Sequence, residues 1–224
     1  MCGRFTLASD PESFLKRFSL EIPEGLEHPR LFNIAPSQPV LGLVANPAIA
    51  LEVMEWGFIP SWAKEEKSFK PVINARAETV AEKPYFRGSF RSSRCAILAD
   101  GFYEWKKVGD TKHPHHIGLK DGGVFAMAGL WSHRVVADGS EQVTCAIITT
   151  GPNALMKDLH DRMPAILNEE GVEAWLDREA RSTELEALLR PYPAEEMRAY
   201  EVSTLVNNPR NDSEECMKPW SEED

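Results

Sequence analysis

The sequence HHIGLKDGGVFAMAGL, residues 115–130, carries the clearest signal of the fold in this chain. It contains two short apolar runs, His115–Leu119 and Val124–Leu130, separated by Asp121-Gly122-Gly123. Apolar runs of this length that are bounded by Gly and Asp are typical of β-strands, and Asp-Gly is a favoured pair in tight hairpin turns. The stretch therefore predicts two strands joined by a hairpin turn.

Similar runs lie on both sides of this stretch, and Asp138-Gly139 predicts a second hairpin turn. The other predicted strands are Val40–Val44, Ile49–Trp56, Ala96–Ala99, Val143–Thr149 and Ala199–Val202. Because short strands outnumber the helical segments, we predict an α+β fold with a central antiparallel, barrel-like sheet and peripheral helices.

Four segments have helical patterns, and one polar segment predicts a loop. Ser9-Asp10-Pro11-Glu12 has the spacing of a capping box, which predicts a short helix over residues 10–19. Residues 21–39 are rich in Pro and polar residues and are predicted to form a loop. The remaining predicted helices are Pro152–Leu159, Glu169–Leu176 and Thr183–Leu189.

Length and composition indicate a soluble globular protein. The chain has 224 residues, of which 42% are apolar and 27% charged, enough for one domain or two small ones. No apolar run approaches the ~20 residues of a membrane span, and the start lacks the pattern of a secretory signal. We therefore expect a cytoplasmic monomer that does not bind membranes, associated with the nucleoid if the source is bacterial.

The net charge of −10 is unevenly distributed along the chain. Residues 168–224 hold 16 Asp and Glu against 6 Lys and Arg, which accounts for the whole excess. Residues 60–112 hold 11 Lys and Arg against 7 Asp and Glu. Local potential matters more than net charge for a polyanionic partner, so the acidic total does not exclude nucleic acid. The alternative is a mixed, solvated face.

The cysteines and histidines do not form a metal-binding pattern. Cys2, Cys95, Cys145 and Cys216 are far apart and make no Cys-x-x-Cys pair. Alternate histidines in His113-Pro114-His115-His116 would share one face of a strand, but no carboxylate or cysteine stands at ligand spacing. We therefore predict neither a disulfide framework, a metal site nor a cofactor.

Cys2 follows Met1 directly. Small second residues usually permit removal of Met1, after which Cys2 would carry a free α-amine and a thiol on adjacent carbons. Such a 1,2-aminothiol condenses with an aldehyde to a Schiff base, which the thiol closes to a thiazolidine. The α-amine titrates at roughly 7.7–8.0, so a useful fraction is nucleophilic near neutral pH. Most cysteines at this position have no chemical role, so the other motifs must decide whether Cys2 is a reactive N-terminal residue or an incidental one.

Two further segments offer groups for proton transfer. Glu104 lies between Tyr103 and Trp105, and a carboxyl group among aromatic rings tends to have its ionised form destabilised. His160 lies in a polar segment after a predicted helix, and histidine suits acid–base work near neutral pH. The alternatives are an exposed glutamate at a strand end and a structural or solvated histidine.

A third set of residues could contact nucleic acid. Asn74 and Arg76 alternate on an extended segment and would point to one face, where the Arg fork fits a phosphate. The alternative is a surface strand with a salt bridge to Glu78. Trp56 and Trp62 could stack on unpaired bases or belong to the core.

Six motifs occur in an order that resembles one family. They are Met-Cys-Gly-Arg, Asn-x-Ala-Pro, Trp-Gly-x-x-Pro-x-Trp, Asn-Ala-Arg-x-Glu, Gly-Phe-Tyr-Glu-Trp and His-x-Arg-Met-Pro. Together they resemble the SRAP family, the SOS response-associated peptidases or abasic-site processing proteins, from Met1 to about Pro219. The resemblance implies a single SRAP domain over residues 1–219, of compact α+β barrel-like fold, and an acidic tail over residues 220–224.

The resemblance also implies an activity. Members capture abasic sites in single-stranded DNA: the amine of the processed cysteine attacks the aldehyde of the opened sugar, and the thiol closes a thiazolidine. The product is a stable DNA–protein cross-link that shields the lesion. We therefore expect an abasic-site cross-linking enzyme with lyase-like Schiff-base chemistry and a self-processing peptidase activity, whose partner is abasic single-stranded DNA.

Residue roles follow from the same resemblance. Cys2 matches the nucleophile, and Glu104 matches the acid that handles protons during ring opening and imine formation. His160 matches the histidine that stabilises the opened sugar, and Asn74 the asparagine that holds the N-terminal residue and the sugar. Contacts to DNA are implied for Arg76, Arg4, Arg162, Trp62, Trp105 and Thr149.

Two features depart from the family pattern. Pro114 is followed by His115 and His116, where the family often has aromatic residues. The segment from Asp212 to Asp224 is strongly acidic.

Two other functions compete with cross-linking. A terminal cysteine whose own amine acts as base could hydrolyse peptides. A non-catalytic reader of single-stranded or modified DNA could use the Trp and Arg residues alone, and its binding would survive loss of Cys2. Replacing Cys2 by Ser separates cross-linking from peptide hydrolysis, since serine still supports hydrolysis but gives a far less stable ring with an aldehyde.

Overall fold

The computed structural model describes residues 2–25, 29–45, 47–63, 69–136 and 138–221. In chain order, the strands are β1 (Phe5–Leu7), β2 (Leu31–Ile34), β3 (Pro39–Ala45), β4 (Ile49–Trp56), β5 (Asn74–Arg76), β6 (Arg94–Ala99), β7 (Gly101–Val108), β8 (Thr111–Leu119), β9 (Phe125–Val135), β10 (Glu141–Thr150), β11 (Met163–Pro164), β12 (Ile166–Leu167) and β13 (Met197–Glu201). The α-helices are α1 (Glu12–Lys16), α2 (Arg87–Ser92), α3 (Glu169–Leu176) and α4 (Ser182–Leu188).

Five strands close into a barrel. Strand β10 pairs with β4, β4 with β3, β3 with β6, β6 with β9, and β9 again with β10. All of these pairs are antiparallel except β10–β4, which is parallel. At Gly129 on β9, a Cβ atom would lie 2.9 Å from Cys95 Sγ and 3.0 Å from the Ala146 carbonyl oxygen, so only glycine lets the strands approach this closely. The α+β, barrel-like prediction is therefore confirmed.

A second, open sheet packs beside the barrel. Its strand order is β13-β8-β7-β1-β2, and β7 and β8 form a long hairpin. On β7, a Cβ atom at Gly101 would lie 2.1 Å from His116 Nε2 on β8, so this position also requires glycine. The N-terminal strand lies between two others in this sheet, because β1 pairs with β7 on one side and with the edge strand β2 on the other.

The two Asp-Gly turns have different outcomes. Asp138-Gly139 lies between β9 and β10, which pair antiparallel from Val135↔Glu141, so the second hairpin is confirmed. The hairpin predicted at Asp121-Gly122-Gly123 is wrong. Strand β8 pairs with β7 and β13, whereas β9 pairs with β6, β10 and β12, so this turn carries the chain from one sheet to the other. Turn chemistry fixes a reversal of the chain but not the partner of each strand.

The helical predictions are only partly correct. Helix α3 matches the predicted Glu169–Leu176, and the Asn168 side chain accepts a hydrogen bond from the Gly171 amide at its start. The capping box is absent at α1, where Asp10 Oδ1 instead accepts from the Glu12 amide at 2.9 Å. Of the helix predicted over Pro152–Leu159, the structure forms only a 3₁₀ turn, because Asn153 Oδ1 binds the Met156 amide.

Five strands were not predicted: β1, β2, β7, β11 and β12. Strand β2 lies inside the predicted loop 21–39, and β7 follows β6 after a single residue, Asp100. The chain after β13 runs back across the open sheet, where Val202 and Val206 pack on Tyr103. None of the helices in the described ranges is long and apolar enough to cross a bilayer. The boundary at residue 219 stays a prediction, and residues 222–224 of the predicted tail lie outside the described residues.

Candidate active site

The candidate site lies where the open sheet meets the barrel. Cys2 precedes β1 of the open sheet and is fully buried. Asn74 begins β5, which pairs in parallel with β10 of the barrel. The Asn74 side-chain amide donates a hydrogen bond of 2.8 Å to the Cys2 carbonyl oxygen. This bond brings together two residues that the sequence analysis had assigned to one site.

Asp100 fixes the strand that follows Cys2. Its Oδ1 atom accepts a hydrogen bond from the Thr6 hydroxyl, and its Oδ2 atom accepts from the amides of Ala8 and Ser9 at 2.9 and 2.7 Å. Asp100 is buried at the corner between β6 and β7. Because charge-assisted hydrogen bonds are the stronger class, this carboxylate holds β1 firmly against β7.

Glu104 lies on β7 and is only 3% exposed. Burial disfavours the carboxylate and raises the pKa of Glu104 to about 7. Its Oε2 atom lies 3.9 Å from His160 Nε2, which belongs to the loop between β10 and β11. A carboxyl group with this pKa can both give and take a proton near neutral pH.

Two neighbouring groups contact Nδ1 of the His160 ring. The Arg162 amide donates to His160 Nδ1 at 3.0 Å, so in the neutral ring Nδ1 is the acceptor and the proton is assigned to Nε2. Nε2 is also the atom nearer to Glu104. The Asp161 carboxylate lies 2.9 Å from Nδ1, a contact that is favourable when Nδ1 is protonated in the imidazolium, whose Nε2 also carries a proton. Burial lowers the pKa of His160, and Asp161 partly offsets this decrease.

The Cys2 thiol is held in its neutral form. Burial and, secondarily, the nearby Glu104 charge raise the pKa of the thiol far above its usual range. Its Sγ atom lies 3.9 Å from the Arg4 carbonyl oxygen, a long contact for a weak donor. The thiol therefore needs a base, or an already activated partner, before it can act as a nucleophile.

Arg162 is engaged inside the protein. Its guanidinium group donates to both carboxylate oxygens of Glu78, at 2.5 and 3.0 Å, and to the carbonyl and hydroxyl oxygens of Thr149. Hydrogen bonding from Arg162 lowers the pKa of Glu78. Thr149 is fully buried on β10. The structure thus places Arg162 and Thr149 together, with Arg162 bracing the loop that carries His160.

The two other predicted phosphate contacts differ in exposure. Arg76 lies at the end of β5 and is exposed. Arg4 is half-buried: its Nη1 atom donates to Asn33 Oδ1 and to the Val206 carbonyl oxygen, both at 2.7 Å. Its guanidinium group also lies 5.9 Å from the Trp105 ring centroid. Arg76 is therefore accessible to a phosphate, whereas Arg4 connects β1 to the C-terminal segment.

The tryptophans fall into two groups. Trp62 is 55% exposed and stands edge-on to the rings of Phe69 and Tyr85. Trp105 is half-buried, and its Nε1 atom donates to Asn207 Oδ1 at 2.7 Å. Trp56 is fully buried and belongs to the core. Trp62 therefore has the exposed face that base stacking needs.

The three histidines of His113-Pro114-His115-His116 have separate environments. His116 is buried between the rings of Tyr103 and Tyr200, and burial lowers its pKa to about 4. His113 Nδ1 lies 2.7 Å from Glu201 Oε1. Within the described ranges, no group of three or more His, Cys, Asp or Glu side chains is placed to hold a metal ion.

Sequence reasoning missed several residues of this region. Asn33 binds three carbonyl oxygens of the C-terminal segment and the Arg4 side chain. Asp100 fixes β1, and Asp161 contacts His160. Glu78 was considered as a partner for Arg76, but the structure pairs it with Arg162. The signal that could have found them is membership of a motif, because Asn33, Glu78 and Asp161 each lie inside one of the six motifs.

Comparison with known proteins defines the class. The model of the family described as SOS response associated peptidase (SRAP) matches residues 1–209. The chain belongs to the SRAP family, whose relatives are named abasic site processing proteins.

Individual relatives cover almost the whole chain. Abasic site processing protein YoqW of Bacillus subtilis is 47% identical over 97% of this chain and 99% of its own length. YedK of Escherichia coli is 31% identical over 98% of this chain and 100% of its own length. HMCES of Xenopus tropicalis is 36% identical over 75% of this chain and 56% of its own length.

A solved structure supports the same fold. A crystal structure of a protein from Bacteroides thetaiotaomicron superimposes with a TM-score of 0.85 and is 26% identical, covering 98% of this chain and 100% of that one.

Proposed function

We propose that this protein captures abasic sites in single-stranded DNA through a covalent bond to Cys2, after removal of Met1. The observation that carries the proposal is that two contacting pairs, Cys2 with Asn74 and Glu104 with His160, lie close enough for the Glu104 charge to act on the buried Cys2 thiol. The names of the relatives support an abasic site as the substrate.

The first step is condensation. The Cys2 α-amine attacks C1′ of the open-chain sugar aldehyde, and the resulting carbinolamine loses water to give an imine. Glu104 can protonate the departing hydroxyl and accept the amine proton, because its pKa of about 7 keeps both forms available. The Nε2–H group of His160 faces Glu104 and can donate to a sugar oxygen.

The second step is ring closure. The Cys2 sulfur adds to the imine carbon, and the thiol proton passes to the imine nitrogen, so the thiazolidine forms with water as the only product released. The neutral thiol suits this order, because an imine is activated enough to accept it once a base removes the proton. Glu104, whose charge already acts on the thiol, is the nearby base.

Two exposed residues would guide the strand to the cluster. Arg76 is exposed two residues after Asn74, so it can bind a phosphate next to the captured sugar. Trp62 offers its exposed ring to an unpaired base. The proposed contacts of Arg4, Arg162, Thr149 and Trp105 to DNA are indirect in this geometry, since their polar groups bind other parts of the protein.

The test uses a single-stranded oligonucleotide with one abasic site, a denaturing gel and mass mapping of the adduct. We expect a shifted band that maps to Cys2 and is absent with Cys2→Ala protein or an intact oligonucleotide. Cys2→Ser should give no heat-stable adduct. Protein shown by mass to lack Met1 that forms no adduct would contradict the proposal.

The same variants address the alternatives. A peptidase would retain hydrolysis in Cys2→Ser protein, and a non-covalent reader would bind DNA equally well without Cys2. The raised pKa of the thiol disfavours the thiolate that a cysteine peptidase needs.

A further inference from the structure

The β7–β8 hairpin extends past the candidate site as a free ribbon. Strands β7 and β8 remain paired from Glu104↔His115 to Val108↔Thr111. On one side, β13 stops pairing at Glu201↔His115, and on the other, β1 pairs only as far as Phe102. Within the described residues, 106–113 therefore have no third strand beside them, and the ribbon extends about 13 Å beyond Glu104 at ~3.3 Å per residue.

The ribbon is basic in an acidic protein. It carries Lys106, Lys107 and Lys112 against a single acid, Asp110 at the turn, whereas the whole chain has a net charge of −10. Lys107 and Lys112 face each other across the two strands and are exposed, and Val108 beside the turn is 52% exposed. Like charges directly opposite each other destabilise a strand pair, and an anion bound between them would relieve this repulsion.

Several contacts hold the ribbon in place. His113 Nδ1 lies 2.7 Å from Glu201 Oε1 on β13, which fixes the ribbon at its base. The Thr111 hydroxyl donates to the Val108 carbonyl oxygen at 2.8 Å and lies 3.0 Å from His113 Nε2. Gly109 adopts a φ of +61°, which glycine tolerates in a tight turn. The lysines are thus presented on an ordered support.

We propose that this ribbon binds the phosphate backbone of the DNA strand on one side of the lesion. The inference rests on the proposed function for the position of the lesion at Glu104. From there the ribbon continues along the same two strands, with Lys106 on the face of Glu104 and with Lys107 and Lys112 on the opposite face. DNA that leaves the site along this narrow ribbon therefore meets Lys106 first and reaches Lys107 and Lys112 around its edge. Lysine contacts to phosphates supply most of the non-specific affinity of DNA-binding proteins, and a two-stranded ribbon is narrow enough to follow a strand or enter a major groove.

The test compares two triple variants in non-covalent binding. One is Lys106→Gln/Lys107→Gln/Lys112→Gln, and the control removes three exposed lysines elsewhere, Lys16→Gln/Lys120→Gln/Lys218→Gln. Lys120 lies directly after the opposite end of β8, so it is a matched position next to the same strand. The probes are single-stranded oligonucleotides with a tetrahydrofuran abasic analogue, which has no aldehyde, placed near the 5′ or the 3′ end.

We expect the ribbon variant to weaken binding about tenfold or more to one of the two probes and to leave the other nearly unchanged. The slope of log K against log salt should fall by about 2 for that probe, at ~0.7 for each lost phosphate contact on a single strand. Asp110→Lys should strengthen binding to the same probe. Equal behaviour of ribbon and control variants, or equal weakening with both probes, would overturn the proposal.

Cross-linking is measured separately with a true abasic site at saturating DNA. Loss of the cross-link only in Cys2→Ala protein, with the ribbon effect retained on the tetrahydrofuran probe, supports both proposals. If the ribbon variant binds the tetrahydrofuran probe more weakly but wild-type protein never cross-links to the true abasic site, the proposed function is contradicted and the ribbon inference stands. Cross-linking without any ribbon effect contradicts the inference alone.

Discussion

The Asn74 side-chain amide donates a hydrogen bond of 2.8 Å to the carbonyl oxygen of Cys2, and its own Oδ1 atom is buried with no hydrogen-bond partner in the described residues. An unsatisfied buried acceptor costs about 1–3 kcal/mol, so it is retained where something else requires it. Under the proposed function, this oxygen would accept from a sugar hydroxyl of the substrate or from the Cys2 amine that removal of Met1 frees.

Asn74→Ala should therefore slow capture without unfolding the protein. It removes one bond that positions Cys2 and one acceptor for the substrate, and each is worth about 1 kcal/mol. We expect the single-turnover rate of adduct formation to fall about 10- to 100-fold, with the thermal midpoint within a few degrees of wild type. An unchanged rate would show that Cys2 is positioned by β1 alone.

Glu104→Gln should stabilise the protein at alkaline pH. Because burial raises the pKa of Glu104 from 4.5 to about 7, the folded state binds this proton more tightly than the unfolded chain. The contribution of this proton to the free energy of unfolding is complete below pH 4.5. It is lost as the pH rises through 7, because the buried carboxyl group then ionises, and the loss is on the order of 3 kcal/mol. Glutamine carries no charge to bury, so urea unfolding should show a larger gain over wild type at pH 8 than at pH 5. The same gain at both pH values would contradict the burial argument. Adduct formation should be severely reduced at both.

Asp161→Asn should lower the pKa of His160. Burial already lowers this pKa, and the Asp161 carboxylate, 2.9 Å from Nδ1, partly offsets the effect. Without that charge the imidazolium loses its partner, so the His160 titration followed by NMR should move to lower pH. The ring nitrogen shifts should also report the Nε2–H form above the pKa. Asp161→Glu is the control that keeps the charge. A titration that does not move, or that moves upward, would exclude this role for Asp161.

Arg162 should behave as a structural brace. Its guanidinium group spans Glu78 and Thr149, and hydrogen bonds to charged groups contribute about 1.5–3 kcal/mol. Arg162→Ala should therefore lower the free energy of unfolding by roughly 2 kcal/mol and slow cross-linking. Arg162→Lys should rescue it only partly, because lysine lacks the fork.

A double-mutant cycle with Glu78→Gln tests the same point. We expect the two substitutions to be coupled in urea unfolding, while the salt dependence of DNA binding stays that of wild type. A reduced salt slope with unchanged stability would instead make Arg162 a direct phosphate contact.

Much of the barrel was predictable because its strands are short, apolar and separated by turn residues. Strands β4 and β10 were located closely, since both hold long apolar or β-branched runs, whereas the second half of β9 was missed. Strand β7 was not, because Asp100 separates it from β6 and Lys106-Lys107 gives its second half a polar pattern. Pairing partners were also inaccessible, as the turn between β8 and β9 shows, since local sequence does not specify which sheet a strand joins.

Candidate residues for the site could be proposed from the sequence, whereas the contacts that these residues make could not. The pKa of Glu104 is raised as predicted, but its neighbours Tyr103 and Trp105 pack on the opposite face of β7, against the C-terminal segment. The cause is burial of Glu104 itself. Arg4 reaches Val206 across 202 residues of sequence, and no spacing rule reveals such a contact. Motifs thus indicated the candidate residues, while the contacts of those residues depended on the tertiary fold.

The hydrogen bonds that Asp100 accepts have a kinetic consequence. Their donors belong to Thr6, Ala8 and Ser9, which all follow Cys2 in the chain, so none of these bonds depends on Met1. A free aminothiol in solution loses translational and rotational freedom when it meets an aldehyde. Compared with two groups already held in the reactive geometry, this loss raises the barrier by about 7–11 kcal/mol. In this protein, folding has already fixed the segment that carries Cys2, so the entropic cost that remains is that of docking the DNA strand, which non-covalent contacts to the DNA can offset.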